Sequence, residues 1–108
     1  MYVIYKVVNK TNNKIYIGQT KDLEQRKRNH KSDSFNTKSS GYLLPFHNAI
    51  RKYGWDNFEW TILEEIPEEE SQEYIDQREK YFIQLFDSLT INDKGYNICQ
   101  YASTTFGY

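Results

Sequence analysis

The chain has 108 residues, a net charge of −1, 38% hydrophobic residues and 17% aromatic residues. A chain of this length forms one domain, and its ten tyrosines supply enough large side chains for a core, which argues against disorder. The single cysteine excludes an internal disulfide and a cysteine-rich zinc site. No apolar run is long enough to span a membrane and no export leader is evident, so we expect a cytoplasmic protein.

Charge is divided unequally between the two halves of the chain. Residues 1–54 hold eleven Lys or Arg against three acids, whereas residues 55–108 hold three against twelve. One interpretation is that the halves attract each other when packed. The other is that the N-terminal half presents a basic surface to a polyanion. The near-zero total argues against a free-standing, high-affinity nucleic-acid binder.

The first predicted elements are a β-hairpin and a helix. β-Branched and aromatic residues on both sides of the turn sequence NKTNNK predict a hairpin over residues 2–18. Asp22, followed three residues later by Gln25, resembles a capping box and predicts a helix over about residues 23–31. The polar, serine-rich stretch 32–42 is predicted to form a loop.

A second helix, a strand and a third helix follow. Pro45 and the spacing of the apolar residues after it predict a short amphipathic helix that ends at Gly54. The alternation in FEWTILEEI predicts a strand closed by Pro67. Residues 68–86 are predicted to form the longest helix, opening on three glutamates, and residues 96–98 a terminal edge strand. This order predicts a small α+β domain with a mainly antiparallel sheet flanked by helices.

One carboxylate lies on the apolar side of the last predicted helix. Glu79 follows Ile75 by four residues and precedes Phe82 by three, which puts it on the stripe that faces the core. A carboxylate there needs a cation, a metal or several donors, because burial penalises its charged form. From position alone, a structural ion pair and a functional site explain Glu79 equally well.

Four further polar side chains can converge near the predicted hairpin. Arg26 and His30 are four residues apart and share one face of the first helix. That face can meet the hairpin, which carries Tyr5 and Tyr16. Each is also consistent with ordinary packing or a surface position. Together with Glu79, they supply a fixed cation, a proton-handling phenol or imidazole, and a metal-binding carboxylate, which phosphodiester hydrolysis requires.

The ordered set of these residues resembles the GIY-YIG nuclease superfamily. The segments that carry the resemblance are VIY (3–5), YIG (16–18), Arg26, His30, Glu79 and GYNI (95–98), with ILEEIP (62–67) and TFG (105–107) in addition. The chain is similar to the N-terminal catalytic domains of phage homing endonucleases encoded in group I introns. The resemblance implies a three-stranded antiparallel sheet flanked by about three helices. It also implies a catalytic domain over residues 1–100, and a tail over 101–108 that would begin a linker to a DNA-binding domain outside this chain.

The resemblance implies a role for each polar residue named above. Tyr5 and Tyr16 would line the site, with Tyr16 or a water it orders accepting the proton of the nucleophile. Arg26 would bind the scissile phosphate and stabilise the charge of its pentavalent transition state. His30 would assist in proton transfer or phosphate positioning, and Glu79 would hold one Mg²⁺ or Mn²⁺ ion.

Four other positions support or depart from the family pattern. Gly18 would allow close approach of backbone or phosphate, and Asn97 would support the site without taking part in the chemistry. Val3 stands where the family usually has glycine, and the strand is expected to survive because a β-branched residue suits it. His47 corresponds to no family position and is interpreted as structural or exposed.

The resemblance implies a divalent-metal-dependent endonuclease that hydrolyses double-stranded DNA to 5′-phosphate and 3′-hydroxyl ends, one strand at a time, in a bacterial or phage-infected cell. Two alternatives stay open. One is a structure-specific repair nuclease of the same superfamily, and the other is a noncatalytic module that binds nucleic acid or protein through its tyrosine-rich surface. Dependence on Mg²⁺ discriminates the nucleases from the module, because binding alone needs no metal.

Overall fold

A computed structural model describes residues 1–90 and 93–98, in which a three-stranded antiparallel sheet packs with three α-helices. The strands are β1 (Tyr2–Asn9), β2 (Ile15–Thr20) and β3 (Phe58–Ile66), and the helices are α1 (Leu23–Phe35), α2 (Pro45–Tyr53) and α3 (Gln72–Phe86). A 3₁₀ turn, Trp55–Asn57, precedes β3. The sheet order is β2-β1-β3, which confirms the predicted fold class. None of the helices in the described part of the chain is long and apolar enough to cross a membrane.

β1 and β2 form the predicted hairpin. The turn between them places Asn13 at φ 63°, a left-handed conformation that asparagine tolerates better than most residues. The antiparallel register pairs Tyr5 with Gly18 and Val7 with Tyr16. Because paired residues lie on the same face of a sheet, the two tyrosines project to the same side.

The sheet separates two core clusters of different chemistry. The aromatic layer consists of Tyr5, Val7, Tyr16, Phe46, Ala49, Ile50, Phe58 and Tyr96. The aliphatic layer consists of Ile4, Ile17, Ile66, Ile75 and Ile83. Since successive strand residues point to opposite faces, β1 and β2 each contribute to both layers. Helix α2 supplies the aromatic layer and α3 supplies the aliphatic layer.

β3 contributes to both layers because its pairing with β1 is interrupted. Phe58 lies in the aromatic layer, and Ile62, on the same face of the strand, is 48% exposed. The register then shifts between Ile4 and Tyr5 of β1. After this bulge Ile66 packs in the aliphatic layer, since one extra residue turns the following side chains to the other face.

Helix α1 is longer than predicted, and residues 32–35 are helical instead of part of a loop. The Ser34 hydroxyl donates to the carbonyl of His30 at 2.6 Å, and Ser34 is fully buried. A serine that bonds one turn back can stay inside a helix, so the polar composition of this stretch misled the prediction.

Helix α3 starts later than predicted, at Gln72 instead of residue 68. The hydroxyl of Ser71 accepts a hydrogen bond from the Tyr74 backbone amide at 3.1 Å, which is the usual N-cap arrangement. The three glutamates lie in the preceding turn, where Glu68 pairs with the N-terminal amino group at 2.7 Å.

The segment 93–98 joins the sheet through isolated contacts, so the predicted edge strand at 96–98 is wrong within the described residues. Gly95 forms a parallel bridge with Ile15, and Asn97 forms one with Leu89. A Cβ at Gly95 would lie 2.1 Å from the carbonyl oxygen of Ser88, so only glycine fits there. The tail 101–108, the TFG segment and residues 99–100 lie outside the described residues.

Candidate active site

Tyr5, Tyr16 and His30 converge in the aromatic layer. The hairpin register puts both tyrosines on one face, and α1 brings His30 over them. The ring centroids of Tyr5 and Tyr16 are 6.3 Å apart, and that of His30 lies 6.3 Å from Tyr5 and 5.6 Å from Tyr16. Tyr16 also stacks on Phe46 of α2, with centroids 4.4 Å apart. The structure therefore brings together three of the five predicted principal residues by direct ring contact.

Gly18 allows the ring of Tyr5 to lie against β2. A Cβ on Gly18 would be 2.4 Å from both Cζ and Oη of Tyr5, which is closer than any real contact of a Cβ. The sequence predicts close approach of backbone or phosphate at this glycine, and the group that approaches it here is the phenol of Tyr5. Any larger residue would displace the phenol.

A chain of buried hydrogen bonds leads away from Tyr5. Tyr5 Oη lies 2.9 Å from His30 Nε2, and His30 Nδ1 lies 2.8 Å from His47 Nε2. His47 Nδ1 in turn lies 2.7 Å from the carbonyl oxygen of Gly41. Each of the three side chains is at most 1% exposed. Such a chain links the phenol to two imidazoles without intervening water.

His47 is the residue of this chain that sequence reasoning did not place in the site. His47 is buried, which agrees with the interpretation that it is structural and contradicts the interpretation that it is exposed. The signal that could have found it is its spacing, because His47 precedes the buried Ile50 by three residues on the same face of α2.

Burial dominates the electrostatics of Tyr5. It raises the pKa of the phenol well above the ordinary value, and the neighbouring Tyr16 and Glu79 raise that pKa further. The cation of Arg26 acts in the opposite direction and lowers the pKa of Tyr5. The phenol is therefore protonated at neutral pH, and the charges of Arg26 and Glu79 both act on it.

Burial also keeps the two imidazoles neutral. It lowers the pKa of His30 well below the ordinary value, with further lowering from His47 and from the cation of Arg26. Burial lowers the pKa of His47 as well, although its hydrogen bond to the Gly41 carbonyl opposes the shift. Both rings therefore carry one proton each at neutral pH.

Arg26 and Glu79 lie on different helices, and the charge of each acts on Tyr5. Arg26 lies on α1 and is half-buried, one turn before His30. Glu79 lies on α3, is 0% exposed, and is one turn from each of Ile75 and Ile83 in the aliphatic layer. The prediction that Glu79 faces the core is confirmed. A cation and a carboxylate thus act on one phenol from different helices.

Glu79 is the carboxylate on which the predicted divalent ion depends. Among residues 1–90 and 93–98, no group of three or more His, Cys, Asp or Glu side chains could hold a metal ion. Mg²⁺ does not need such a cage, because it keeps several waters and commonly binds one or two carboxylates together with substrate phosphates. A buried carboxylate also favours a cation nearby. The residues present therefore fit the predicted single ion held by Glu79.

Asn97 lies outside the aromatic layer and is bonded to the backbone of β2. Its amide accepts from the backbone N–H of Ile17 and donates to the carbonyl of Ile17, both at 2.8 Å. The Ser88 hydroxyl donates to the same amide oxygen at 2.7 Å. Ile17 lies between Tyr16 and Gly18, so Asn97 fixes the backbone that carries both. Val3, the departure from the family pattern, lies within β1 and leaves the strand intact.

The fold and this site define a nuclease domain. Residues 1–97 match the GIY-YIG catalytic domain, and the chain therefore belongs to the GIY-YIG family. Its catalytic domain is of the kind found in homing endonucleases.

Two solved structures share this fold. The catalytic domain of the homing endonuclease I-TevI is 33% identical, with a TM-score of 0.74 over 92% of this chain and 99% of that one. A mutant of the I-TevI catalytic domain is 34% identical, with a TM-score of 0.75 over 93% and 96% of the two chains.

Two curated proteins are similar in sequence. Intron-associated endonuclease 1 of Enterobacteria phage T4 is 39% identical over 104 residues, which cover 96% of this chain and 38% of that protein. The putative MSV199 domain-containing protein 146R of Invertebrate iridescent virus 6 is 41% identical over 64 residues, 58% of this chain and 24% of that protein. The chain therefore spans well under half the length of these relatives.

Proposed function

We propose that this chain is a divalent-metal-dependent endonuclease of the homing type, which hydrolyses double-stranded DNA to 5′-phosphate and 3′-hydroxyl ends. The observation that carries the proposal is the buried phenol of Tyr5, on which the charges of Arg26 and Glu79 both act. Nε2 of the neutral imidazole of His30 lies 2.9 Å from the hydroxyl oxygen of that phenol. These are the cation, carboxylate and proton acceptor that phosphodiester hydrolysis needs.

Arg26 and Glu79 would act on the charge of the phosphate. Arg26 is half-buried, so its guanidinium can meet solvent and bind the scissile phosphate while its charge still acts within the site. Fixed cations of this kind stabilise the extra negative charge of a pentavalent transition state. Glu79 would hold one Mg²⁺ or Mn²⁺ ion, which when bound neutralises charge on the leaving oxygen.

Tyr5 and His30 would handle the proton of the nucleophile. Because the phenol is protonated at neutral pH, Tyr5 cannot serve as a phenolate base and must pass on its own proton as it accepts one. A water would give its proton to Tyr5 Oη while the phenolic proton moves to His30 Nε2. The hydroxide then attacks phosphorus, the bond to the 3′ oxygen breaks, and that oxygen takes a proton from solvent. The resemblance gives the proton of the nucleophile to Tyr16 or a water it orders; we assign it to Tyr5 instead, because the hydroxyl of Tyr5 is the one that contacts His30 Nε2, and Tyr16 would line the site beside it.

The charge distribution supports DNA as the partner. Residues 1–54, which include α1, hold eleven Lys or Arg against three acids, and such an excess favours a polyanion. The curated relatives are longer than this chain, which supports a further DNA-binding domain outside it as the source of target specificity. The phage relative supports a cytoplasmic site of action in a bacterial or phage-infected cell.

Conversion of supercoiled plasmid to nicked and linear forms tests the proposal. We expect nicking in Mg²⁺, none in EDTA, and a loss of at least about 100-fold in Glu79→Gln, since a metal ion contributes several kcal/mol to such a transition state. Glu73→Gln is the matched control, because Glu73 lies exposed in the first turn of the same helix. Equal nicking by Glu79→Gln and Glu73→Gln would overturn the role of Glu79.

The substrate arm separates the alternatives. Intron-homing sites and branched duplexes are offered to the same preparations. Cleavage confined to branched DNA would replace the homing assignment with a structure-specific repair nuclease. Binding of DNA without cleavage of any substrate in Mg²⁺ or Mn²⁺ would overturn the nuclease and support a binding module.

A further inference from the structure

We propose that His47 is a positioning residue, which holds His30 in the tautomer whose bare Nε2 faces the hydroxyl of Tyr5. The inference rests on the proposed nuclease function for its consequence, although the tautomer itself can be measured without cleavage. It starts from the chain of hydrogen bonds from Tyr5 through His30 and His47 to the carbonyl of Gly41.

The carbonyl at the end of this chain determines the direction of every bond. A carbonyl oxygen only accepts, so Nδ1 of His47 carries the proton and donates to Gly41. A neutral imidazole has one N–H, which leaves Nε2 of His47 as an acceptor. That nitrogen must then receive the N–H at Nδ1 of His30. Nε2 of His30 is therefore bare, and it accepts from the hydroxyl of Tyr5.

Neighbouring contacts hold in place the carbonyl of Gly41, which accepts from His47. Arg51 of α2 donates to the carbonyls of Ser34 and Tyr42, each at 2.7 Å, and its guanidinium lies 3.7 Å from the centroid of the Tyr42 ring. Tyr42 is the neighbour of Gly41, whose own N–H donates to the Ser39 hydroxyl at 3.1 Å. The loop between α1 and α2 is thus anchored on both sides of the carbonyl that His47 uses.

Proton transfer requires that Tyr5 donate its hydrogen bond to His30, which is the direction assigned above. With its proton pointed at His30, the oxygen of Tyr5 keeps its lone pairs as acceptors, which it would need in order to take a proton from a nucleophilic water. As the phenolic proton moves to Nε2, His30 becomes an imidazolium whose Nδ1–H bonds to His47 more strongly. Orienting partners fix the tautomer of catalytic imidazoles in the same way.

Replacing His47 by a residue without an acceptor would reverse the direction of the hydrogen bond between His30 and Tyr5. In such a variant, the N–H at Nδ1 of His30 would be buried without an acceptor, which is costly. His30 would then carry its proton on Nε2 and donate it to the oxygen of Tyr5. In that state Tyr5 cannot pass its proton to His30.

Nitrogen NMR of the imidazoles tests the tautomer directly, and the chain contains only two histidines. Long-range ¹H–¹⁵N spectra distinguish a proton on Nδ1 from one on Nε2. In the unmodified chain we expect both His30 and His47 to carry the imidazole proton on Nδ1. In His47→Leu, His30 should move its proton to Nε2. In His47→Gln the amide oxygen keeps an acceptor toward His30, so the proton should stay on Nδ1.

Cleavage kinetics supply the matched readout. Single-turnover cleavage should slow about 10- to 100-fold in His47→Leu, as for other residues that orient a functional imidazole, with unchanged affinity for DNA. His47→Gln should recover most of the rate. Equal losses in the two variants with no change of tautomer would show a purely structural role and overturn the proposal.

The two proposals can fail separately. An unmodified chain with His30 protonated on Nε2 overturns the role of His47 whether or not DNA is cut. Absence of cleavage with the assigned tautomers present overturns the nuclease and leaves the hydrogen-bond chain standing. If His47→Leu does not fold, the unmodified chain and His47→Gln still decide the tautomer.

Discussion

The aromatic and aliphatic layers lie on opposite faces of the same three strands and differ in how their atoms are held. The aliphatic layer is five isoleucines, whose burial stabilises the fold without requiring particular directions. The aromatic layer contains phenol and imidazole groups joined by hydrogen bonds of 2.7–2.9 Å. Buried polar groups need specific partners, so this layer dictates positions as well as compactness.

Glu79 connects the two layers. It belongs to the helix of the aliphatic layer, yet its charge acts on Tyr5 in the aromatic layer. The helix is bonded to the sheet one and two turns earlier, where Gln19 of β2 donates to Asp76 at 2.9 Å and accepts from Gln72 at 2.8 Å. The aliphatic layer therefore serves the site indirectly, by fixing the helix that carries the carboxylate.

The largest expected effect is on the aromatic side. Arg26→Ala should lower cleavage by about 100- to 1,000-fold, which is typical for loss of one group that stabilises transition-state charge, while the thermal midpoint stays near that of the unmodified chain. Arg28→Ala is the matched control, since Arg28 lies exposed on the same helix and its removal subtracts the same charge. Nicking assays and thermal melts on both variants make the measurement. Similar losses in both variants would refute a specific role for Arg26.

A substitution in the aliphatic layer should lower stability and leave cleavage unchanged. Ile83→Val removes one buried methylene from α3, and Ile83 is 0% exposed. We expect a loss of about 1 kcal/mol in the free energy of unfolding, which lowers the thermal midpoint by about 4–8 °C. Cleavage per folded molecule should be unchanged well below that midpoint. A large loss of cleavage without loss of stability would mean that the two layers are not separate in function.

The smallest expected effect is the dependence of stability on pH. The pKa of His30 is lowered in the folded state, so above its ordinary pKa the imidazole is neutral in both states and the stability is complete. Below that value the unfolded chain takes up a proton that the folded chain does not, and the free energy of unfolding falls toward the folded pKa.

Urea denaturation at about pH 7.5 and about pH 5.5, above the range in which ordinary carboxyl groups titrate, measures this change. His30→Gln is the comparison, and it should flatten the dependence, although His47, whose pKa is also lowered, keeps part of it. Equal stability of the unmodified chain at the two pH values would contradict the buried, neutral imidazoles.

The sequence predicts the elements of both layers because each leaves a local pattern. Alternation and turn residues reveal the hairpin, and helical spacing reveals that Glu79 faces the core. Besides the edge strand at 96–98, which is replaced by isolated bridges, the errors lie at helix ends, where single side chains decide. Ser34, whose hydroxyl bonds back to the carbonyl of His30, lies inside α1 beyond the predicted end, and the cap formed by Ser71 places the start of α3 after the three glutamates.

The site is only partly visible in the sequence, since its contacts join distant residues. Tyr5 and His30 are 25 positions apart, and His30 and His47 are 17 apart. Spacing within one helix cannot show that α1 and α2 meet at two imidazoles. Strand and helix positions singled out Tyr5, Tyr16 and His30, and the resemblance to the family gave each a role. Spacing on α2 could have indicated that His47 is buried, but its contact with His30 follows from the packing of the two helices.

The contacts of the segment 93–98 also cover part of the open edge of β2, where a strand from another protein molecule could pair. β2 is an edge strand, and the outward amides and carbonyls of such a strand can recruit a strand from another molecule. Here the outward groups of Ile15 are occupied by the backbones of Lys94 and Tyr96, and those of Ile17 by the amide of Asn97. The asparagine that holds β2 at Ile17 thus also leaves fewer open backbone groups on that edge for another strand to pair with.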